Sequence, residues 1–320
     1  QTPLIAFAAV QLLHEAGVPT DVVQFLPGTG EVVGAKLTAD PRIDGVIFTG
    51  STETAKAIQL TLAKKPGAIA PLIAETGGQN AMIVDSSALP EQVTTDVIMS
   101  AFDSSGQRCS ALRVLFVQED IADELIKMIS GAMKELNVND PALLSTDIGP
   151  VIDTEAQRSL LNHINNMKKQ AKLLYQVEVN EACQNGTFVP PTLFELRDLS
   201  LLKHEIFGPV LHVIRYKAKQ LDQVIDNINN TGYGLTAGIH SRVNATIAHI
   251  RQRLRVGNLY VNRNQVGAVV GVQPFGGEGL SGTGPKAGGP MYLPRLAVER
   301  VVTTNTTASG GNASLMSLSE

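Results

Sequence analysis

An α/β fold with a parallel sheet covered by helices is predicted by two observations. Short apolar, β-branched runs alternate with helically spaced segments, and the joins between them are short. The length of 320 residues also exceeds the roughly 250–300 residues at which one hydrophobic core stops growing, so two lobes are expected.

The elements follow in order. Leu4–Ala16 is apolar with helical spacing, and Gly17 can end it. Asp21–Leu26 is a β-branched run that would begin the sheet, closed by Pro27-Gly28-Thr29-Gly30. Glu31–Thr38 reads as a helix and Gly45–Thr49 as a buried strand. Gly50-Ser51 then opens a helix from Thr52 to about Lys64, and Ala81–Val84 is a further strand. The second half repeats the rhythm. Leu89–Phe102 and Ile121–Leu136 are helices flanking the strand Arg113–Val117, and Thr154–Leu173 is a polar helix. Val210–Tyr216, Leu235–His240 and Gly257–Val261 are strands, separated by the helices Leu221–Asn229 and Asn244–Arg253. Gly267–Gly289 is a Gly-rich loop, ordered or flexible. Residues 303–320, rich in Ser, Thr, Asn and Gly, are expected to form a flexible tail.

Hydrophobic content of 43% with 18% charge is the balance of a soluble globular protein. The net charge is −4 with Lys and Arg spread along the chain, which excludes a basic nucleic-acid footprint. The longest apolar stretch, Pro3–Leu13, is shorter than the roughly 20 residues a membrane span needs. The start has no basic region of a signal peptide. A cytoplasmic location is therefore expected, with Cys109 and Cys183 reduced.

Several segments can carry chemistry, each with a plainer alternative. Cys109, in Gly106-Gln107-Arg108-Cys109-Ser110, follows a Gly-containing turn. Arg108 or a helix N-terminus would favour its thiolate. Taken alone it reads equally as a buried structural cysteine. Glu75, after the apolar run Pro71–Ala74 and before Gly77-Gly78, has the setting of a partly buried general base or of a solvated turn carboxylate. Phe48-Thr49-Gly50-Ser51-Thr52 leads a strand into a helix N-terminus. Such an end suits a pyrophosphate, or Ser51 or Thr49 simply caps the helix. In His204-Glu205-Ile206-Phe207-Gly208-Pro209, Glu205 can accept from ribose hydroxyls and Phe207 can pack on a flat ring; alternatively the loop docks Phe207 in the core. The Gly-rich Gln273-Pro274-Phe275-Gly276-Gly277 can line a pocket or form a surface turn. Cys183 and the scattered His163, His204, His212 and His249 are read as structural or solvated, and no His, Cys and carboxylate spacing forms a metal site.

Together these segments resemble the aldehyde dehydrogenase superfamily. Phe48-Thr49-Gly50-Ser51-Thr52, Glu75-Thr76-Gly77-Gly78-Gln79-Asn80, Gly106-Gln107-Arg108-Cys109-Ser110-Ala111, His204-Glu205-Ile206-Phe207-Gly208-Pro209-Val210 and Pro274-Phe275-Gly276-Gly277 stand in that family's order, and the resemblance runs from about Pro3 to Val302. More narrowly, Ser110, the loop Val266–Gly271 and the stretch Ser281–Pro290 resemble Δ1-pyrroline-5-carboxylate dehydrogenases. The tail resembles the dehydrogenase region of bacterial proline utilization A proteins, fused enzymes with an upstream proline dehydrogenase domain.

The resemblance implies an aldehyde dehydrogenase fold: the C-terminal part of a Rossmann-like NAD-binding domain (1–77), a catalytic domain (78–277), a return segment and oligomerisation strand (278–302), and the tail. It implies NAD-dependent oxidation of glutamate γ-semialdehyde to glutamate in a homo-oligomer. Cys109 would be the nucleophile and Glu75 the base for the hydrolytic water. Gly50 and Ser51 would contact the pyrophosphate, Glu205 the nicotinamide ribose, Phe207 the nicotinamide, and Gly30 and Gly34 the adenosine side. Ser110, Gly267 and Ala268 would hold the substrate carboxylate, and Phe275 would cover its stem. The family carries a further stretch ahead of the matched region, with an oxyanion-donating Asn and a ribose-binding Lys. On that basis the chain is expected to be a piece of a longer protein and weak or inactive alone. A non-catalytic assembly domain, or a dehydrogenase for another aldehyde, are the alternatives.

Overall fold

Pro3 stands at the start of helix α1 (Pro3–Glu15), where its missing N–H costs no hydrogen bond. The computed structural model describes residues 1–269, 271–305 and 317; the rest of the expected flexible tail lies outside the described residues. None of the α1 residues is buried. Phe7 packs on Phe25 with ring centroids 5.9 Å apart, and His14 Nε2 meets the Val23 carbonyl at 2.8 Å. The run Asp21–Leu26 forms a turn and irregular chain rather than the expected first strand. β-Branched side chains favour a strand only when a neighbour pairs with it, and no strand pairs with this run among the described residues. The expected helix Glu31–Thr38 is likewise split. Gly30–Gly34 forms one wide turn, with the Ala35 N–H reaching the Gly30 carbonyl, before the short helix α2 (Ala35–Ala39).

Strands β1 (Val46–Thr49) and β2 (Leu72–Glu75) pair in parallel, with Thr49 opposite Glu75. Helix α3 (Thr52–Lys64) joins them, and Ser51 Oγ caps it by accepting the Thr54 N–H at 3.1 Å.

The larger sheet has seven strands. They are β3 (Ala81–Val84), β4 (Val114–Gln118), β5 (Lys172–Gln176), β6 (Thr192–Leu196), β7 (Val210–Tyr216), β9 (Thr236–His240) and β10 (Asn258–Val261), in the order β10-β9-β3-β4-β7-β6-β5. All neighbours are parallel except β5 and β6. Side chains alternate between faces along each strand. Ala81 and Ile83 join one apolar core with helices α6 (Thr154–Gln170), α7 (Leu221–Asn229) and α8 (Asn244–Arg253). Met82 and Val84 join a second core with α4 (Pro90–Phe102) and α5 (Glu119–Lys134). The sheet is thus covered on both faces, as a parallel sheet requires. The helix expected over Thr154–Leu173 stops at Gln170. Ala171 is extended, and Leu173 lies in β5 opposite Phe194, because strand pairing overrides a helical spacing at the helix end.

From Phe275 to Ala287 the Gly-rich segment is ordered by pairing. Strand β11 (Glu278–Gly279) pairs with β8 (Tyr233–Gly234), Phe275 and Ala287 exchange two backbone hydrogen bonds, and Thr76 N donates to the Ser281 carbonyl. A short helix α9 (Tyr292–Arg295) follows. Among the described residues no helix is long and apolar enough to cross a membrane. The architecture brings the C-terminal ends of β1 and β2 against the N-terminal edge of the seven-stranded sheet, where β3, β4, β7 and β9 begin.

Candidate active site

A cleft of about 870 Å³ opens at that junction. It is lined by Thr49 to Glu53, Glu75 to Gly77, Gln107 to Ser110, His204, Glu205, Phe207 and Tyr233. Gly267, Ala268 and Phe275 line it as well. Ends of parallel strands combined with a helix N-terminus are where α/β proteins place ligands.

Cys109 sits after a tight turn. Helix α4 ends at Phe102, and Ser104 and Ser105 both adopt positive φ, of 54° and 56°. Gly106 follows at φ 65°, where an added Cβ would lie 2.3 Å from the Gly208 carbonyl oxygen, so only glycine fits. Ser105 Oγ donates to the Gly149 carbonyl at 2.6 Å, and Asn80 Nδ2 donates to the carbonyls of Cys109 (2.6 Å) and Ala111 (2.9 Å). The Ser110 carbonyl accepts from Thr236 Oγ1 at 3.2 Å and from Gln265 Nε2 at 3.3 Å. Burial pushes the Cys109 thiol up, and the Glu205 carboxylate adds to this; the backbone N–H groups of Ser110 and Cys109 oppose it. Arg108, expected to favour the thiolate, instead turns its Nε to Ser104 Oγ at 3.0 Å, and backbone dipoles take its place. Cys183 is buried away from the cleft, with Sγ donating to the Val138 carbonyl.

Glu75 ends β2. Both carboxylate oxygens are sealed from solvent with no hydrogen-bond partner. Burial pushes this carboxyl up to about 7, against the nearby Gly277 N–H and the positive charge of Lys286. Gly276 packs so closely that a Cβ there would lie 2.5 Å from Glu75 Oε1. The group is close to half ionised at neutral pH, the condition in which a carboxylate both takes and returns protons.

Glu205 is largely buried. Burial raises its carboxyl, opposed by the Arg113 guanidinium, whose Nη2 stands 3.2 Å from Glu205 Oε1. Gly77 leaves room for this carboxylate, since a Cβ there would meet Glu205 Oε2 at 1.8 Å. Phe207 does not dock in the core: 45% of it is exposed, and Arg113 Cζ lies 5.2 Å behind its ring. Gly50 and Ser51 lead into α3. At Gly50 a Cβ would strike the Phe48 ring at 2.4 Å, and Gly50 itself lines the cleft. Thr52 and Thr76 both donate to the Leu280 carbonyl, which pins the start of α3 and the chain just after β2 to Leu280.

Of the residues singled out from sequence, the structure brings Cys109, Glu75, Gly50, Ser51, Glu205, Phe207, Ser110, Gly267, Ala268 and Phe275 to this one cleft. Gly30 and Gly34 lie in the wide turn before α2, outside its lining. Sequence reasoning missed Arg113, Asn80, Tyr233 and Lys286. Arg113 carried a readable signal: a charged residue in the apolar run Ala111–Val117 cannot be buried without partners. Its Nη1 donates to the Gly106 carbonyl at 2.6 Å and its Nη2 to the Arg108 carbonyl at 3.0 Å.

A profile of the aldehyde dehydrogenase family matches residues 1–302. The chain is 59% identical over 308 residues to the bifunctional protein PutA of Escherichia coli (strain K12), a match covering 94% of this chain and 23% of that one. It is 41% identical over 297 residues to the 1-pyrroline-5-carboxylate dehydrogenase of Geobacillus kaustophilus, covering 91% of this chain and 57% of the relative. The crystal structure of 1-pyrroline-5-carboxylate dehydrogenase from Thermus with bound NAD superposes with a TM-score of 0.85 at 37% identity, again covering 91% of this chain and 57% of that one. The chain spans about a quarter of the length of the PutA proteins it matches. Cys109 and the buried Glu75 carboxyl meet in one cleft, and with the profile match over 302 residues they lead to one assignment: the chain belongs to the aldehyde dehydrogenase family.

Proposed function

We propose that this chain carries the NAD-dependent oxidation of glutamate γ-semialdehyde to glutamate within a longer protein. The observation that supports it best is the convergence of Cys109 and Glu75 on one cleft that also holds Glu205 and the N-terminus of α3. The cofactor side fits a dinucleotide. The backbone at Gly50 and the α3 N–H groups suit a pyrophosphate, the Glu205 carboxylate suits ribose hydroxyls, and the exposed Phe207 suits a flat ring. Gly30 and Gly34 would lie toward the adenosine.

The chain's own residues then act in order. The Cys109 thiolate attacks the aldehyde carbon and forms a C–S bond, while the Cys109 backbone N–H faces the developing oxyanion. NAD, when bound, supplies the hydride acceptor that turns this cysteine adduct into a thioester. Glu75 takes a proton from water, the water oxygen adds to the thioester carbon, and the C–S bond breaks to release a carboxylate and the Cys109 thiolate. Ser110 with the backbone at Gly267 and Ala268 would hold the second carboxylate of the substrate, and Phe275 would cover its methylene stem.

We divide the chain into the C-terminal part of the cofactor domain (1–77), the catalytic domain (78–277) and a return and oligomerisation segment (278–302). The exposed apolar Leu293, Leu296, Val298, Val301 and Val302 support the last of these. The similarity to bifunctional PutA proteins supports a second enzymatic domain in the same parent chain, which we take to be a proline dehydrogenase; a homo-oligomer and a cytoplasmic location belong to the same proposal. The test is a substrate panel with the parent enzyme. Glutamate semialdehyde should exceed an aliphatic aldehyde of equal length by roughly 10⁴ in kcat/KM, because a polar site left unpaired rejects the analogue. Cys109→Ala should abolish turnover and leave NAD binding intact. Equal efficiency on both aldehydes would remove the substrate assignment.

A further inference from the structure

Arg113 is among the most deeply buried large side chains of the protein. It stands one residue before β4, and its guanidinium is divided between two loops of the cleft. On one side it donates to the Gly106 and Arg108 carbonyls, the turn that presents Cys109. On the other it meets Glu205 Oε1 at 3.2 Å, donates to the Gly208 carbonyl at 3.3 Å and backs the Phe207 ring at 5.2 Å. Its Nε is buried with no partner. One cation therefore belongs to both the Cys109 turn and the loop that faces the cofactor side.

We propose that Arg113 is a positioning residue that couples cofactor binding at Glu205 to the setting of the Cys109 turn; this rests on the cofactor reading above. A ligand that draws on the Glu205 carboxylate changes how strongly that carboxylate holds the guanidinium. A rigid, planar fork cannot adjust one end alone, so the change reaches the carbonyls of Gly106 and Arg108. Arg113 touches neither cofactor nor substrate in this scheme and acts only through Glu205 and the turn.

The measurement is the rate of Cys109 alkylation by iodoacetamide in the 320-residue chain, located by peptide mass, with and without saturating NAD. In the unaltered chain NAD should change the rate by at least about fivefold, the lower range of inter-site coupling. Arg113→Lys keeps a charge for Glu205 but has no fork to span both loops. It should hold NAD within about threefold of the unaltered affinity while the NAD effect on alkylation falls to within about twofold of none. Arg113→Gln should lose the coupling and also bind NAD roughly tenfold more weakly, the worth of a hydrogen bond to a charged group. A merely structural Arg113 would lower the melting temperature of both variants and leave the NAD effect on alkylation in place, which would overturn the proposal. Should Arg113→Gln fail to fold, the lysine variant alone decides it. No NAD effect in the unaltered chain would instead overturn the cofactor reading, and the coupling with it.

Discussion

Asn80 Nδ2 donates to the carbonyl of Cys109 at 2.6 Å, so the residue just before β3 holds the Cys109 turn just before β4. The same amide donates to Ala111 O at 2.9 Å, and its Oδ1 accepts from the Thr236 N–H at 3.2 Å. Three strands that begin side by side are thereby locked to one another and to Cys109. Asn80→Ala would leave buried backbone groups without partners, each costing about 1–3 kcal/mol. Chemical denaturation should show a loss of stability of roughly 2–4 kcal/mol on that basis. A change below about 0.5 kcal/mol, the size typical of a surface substitution, would show that the turn holds itself.

The raised Glu75 carboxyl gives a pH prediction. Burial carries it up to about 7, so thioester hydrolysis should rise with pH through a single ionisation near 7. Glu75→Gln should remove that limb, leaving a burst of NADH and then a slow steady rate. Lys286, whose Nζ donates to the Gly257 carbonyl, places a positive charge that holds the Glu75 carboxyl down. Lys286→Met should therefore move the midpoint to higher pH; an unmoved midpoint would remove Lys286 from this role. The sign for stability runs the other way. Folding raises this carboxyl, so its contribution is fully present below the ordinary carboxyl range and is lost as pH rises through about 7.

Much of this site was legible in sequence because its residues sit beside strand and helix ends, which periodicity marks well. Thr52–Lys64, Ala81–Val84, Val210–Tyr216, Leu221–Asn229 and Asn244–Arg253 are found at the bounds their patterns imply. Strands β5 and β6 were not. Leu173 continues the apolar spacing of α6, and Thr192–Leu196 follows Pro190-Pro191, which reads as loop. Local pattern says nothing of the pairing that makes them strands. In sequence Arg113 is only the first residue of a strand, since its partners at Gly106, Gly208 and Glu205 are brought to it only by tertiary folding. The thiol environment was misjudged for a similar reason: adjacency in sequence placed Arg108 beside Cys109, yet its guanidinium turns to Ser104.

The Cys109 thiol should be less acidic than an ordinary cysteine when no cofactor is bound, since burial and then Glu205 hold it up. Alkylation of the cofactor-free protein should have its midpoint above the usual thiol range of about 8.5. Glu205→Gln removes the second of these causes and keeps the shape of the side chain. The midpoint should then move to lower pH, followed as the rate of iodoacetamide labelling at Cys109 across pH. A midpoint that rises or stays in place would mean that Glu205 does not act on the thiol through its charge.

Two glycines allow the cofactor side and the hydrolytic side to be separated by single methyl groups. At Gly77 a Cβ would lie 1.8 Å from Glu205 Oε2, and at Gly276 one would lie 2.5 Å from Glu75 Oε1. Neither contact can persist, and in each case the nearest atoms belong to a carboxylate that the proposed chemistry uses. Gly77→Ala should displace Glu205 and raise KM for NAD, with little effect on hydrolysis of a preformed thioester. Gly276→Ala should displace Glu75 and slow that hydrolysis by at least about a hundredfold, the lower range of a general-base contribution. It should leave NAD binding and Cys109 alkylation near their unaltered values. Rapid-mix measurement of the NADH burst against the steady rate distinguishes the two. Gly276→Ala should keep the burst and lose the steady rate, and Gly77→Ala should restore both at high NAD. If both substitutions weakened NAD binding alike, the two carboxylates would not serve separate steps, and the division of labour across the cleft would have to be redrawn.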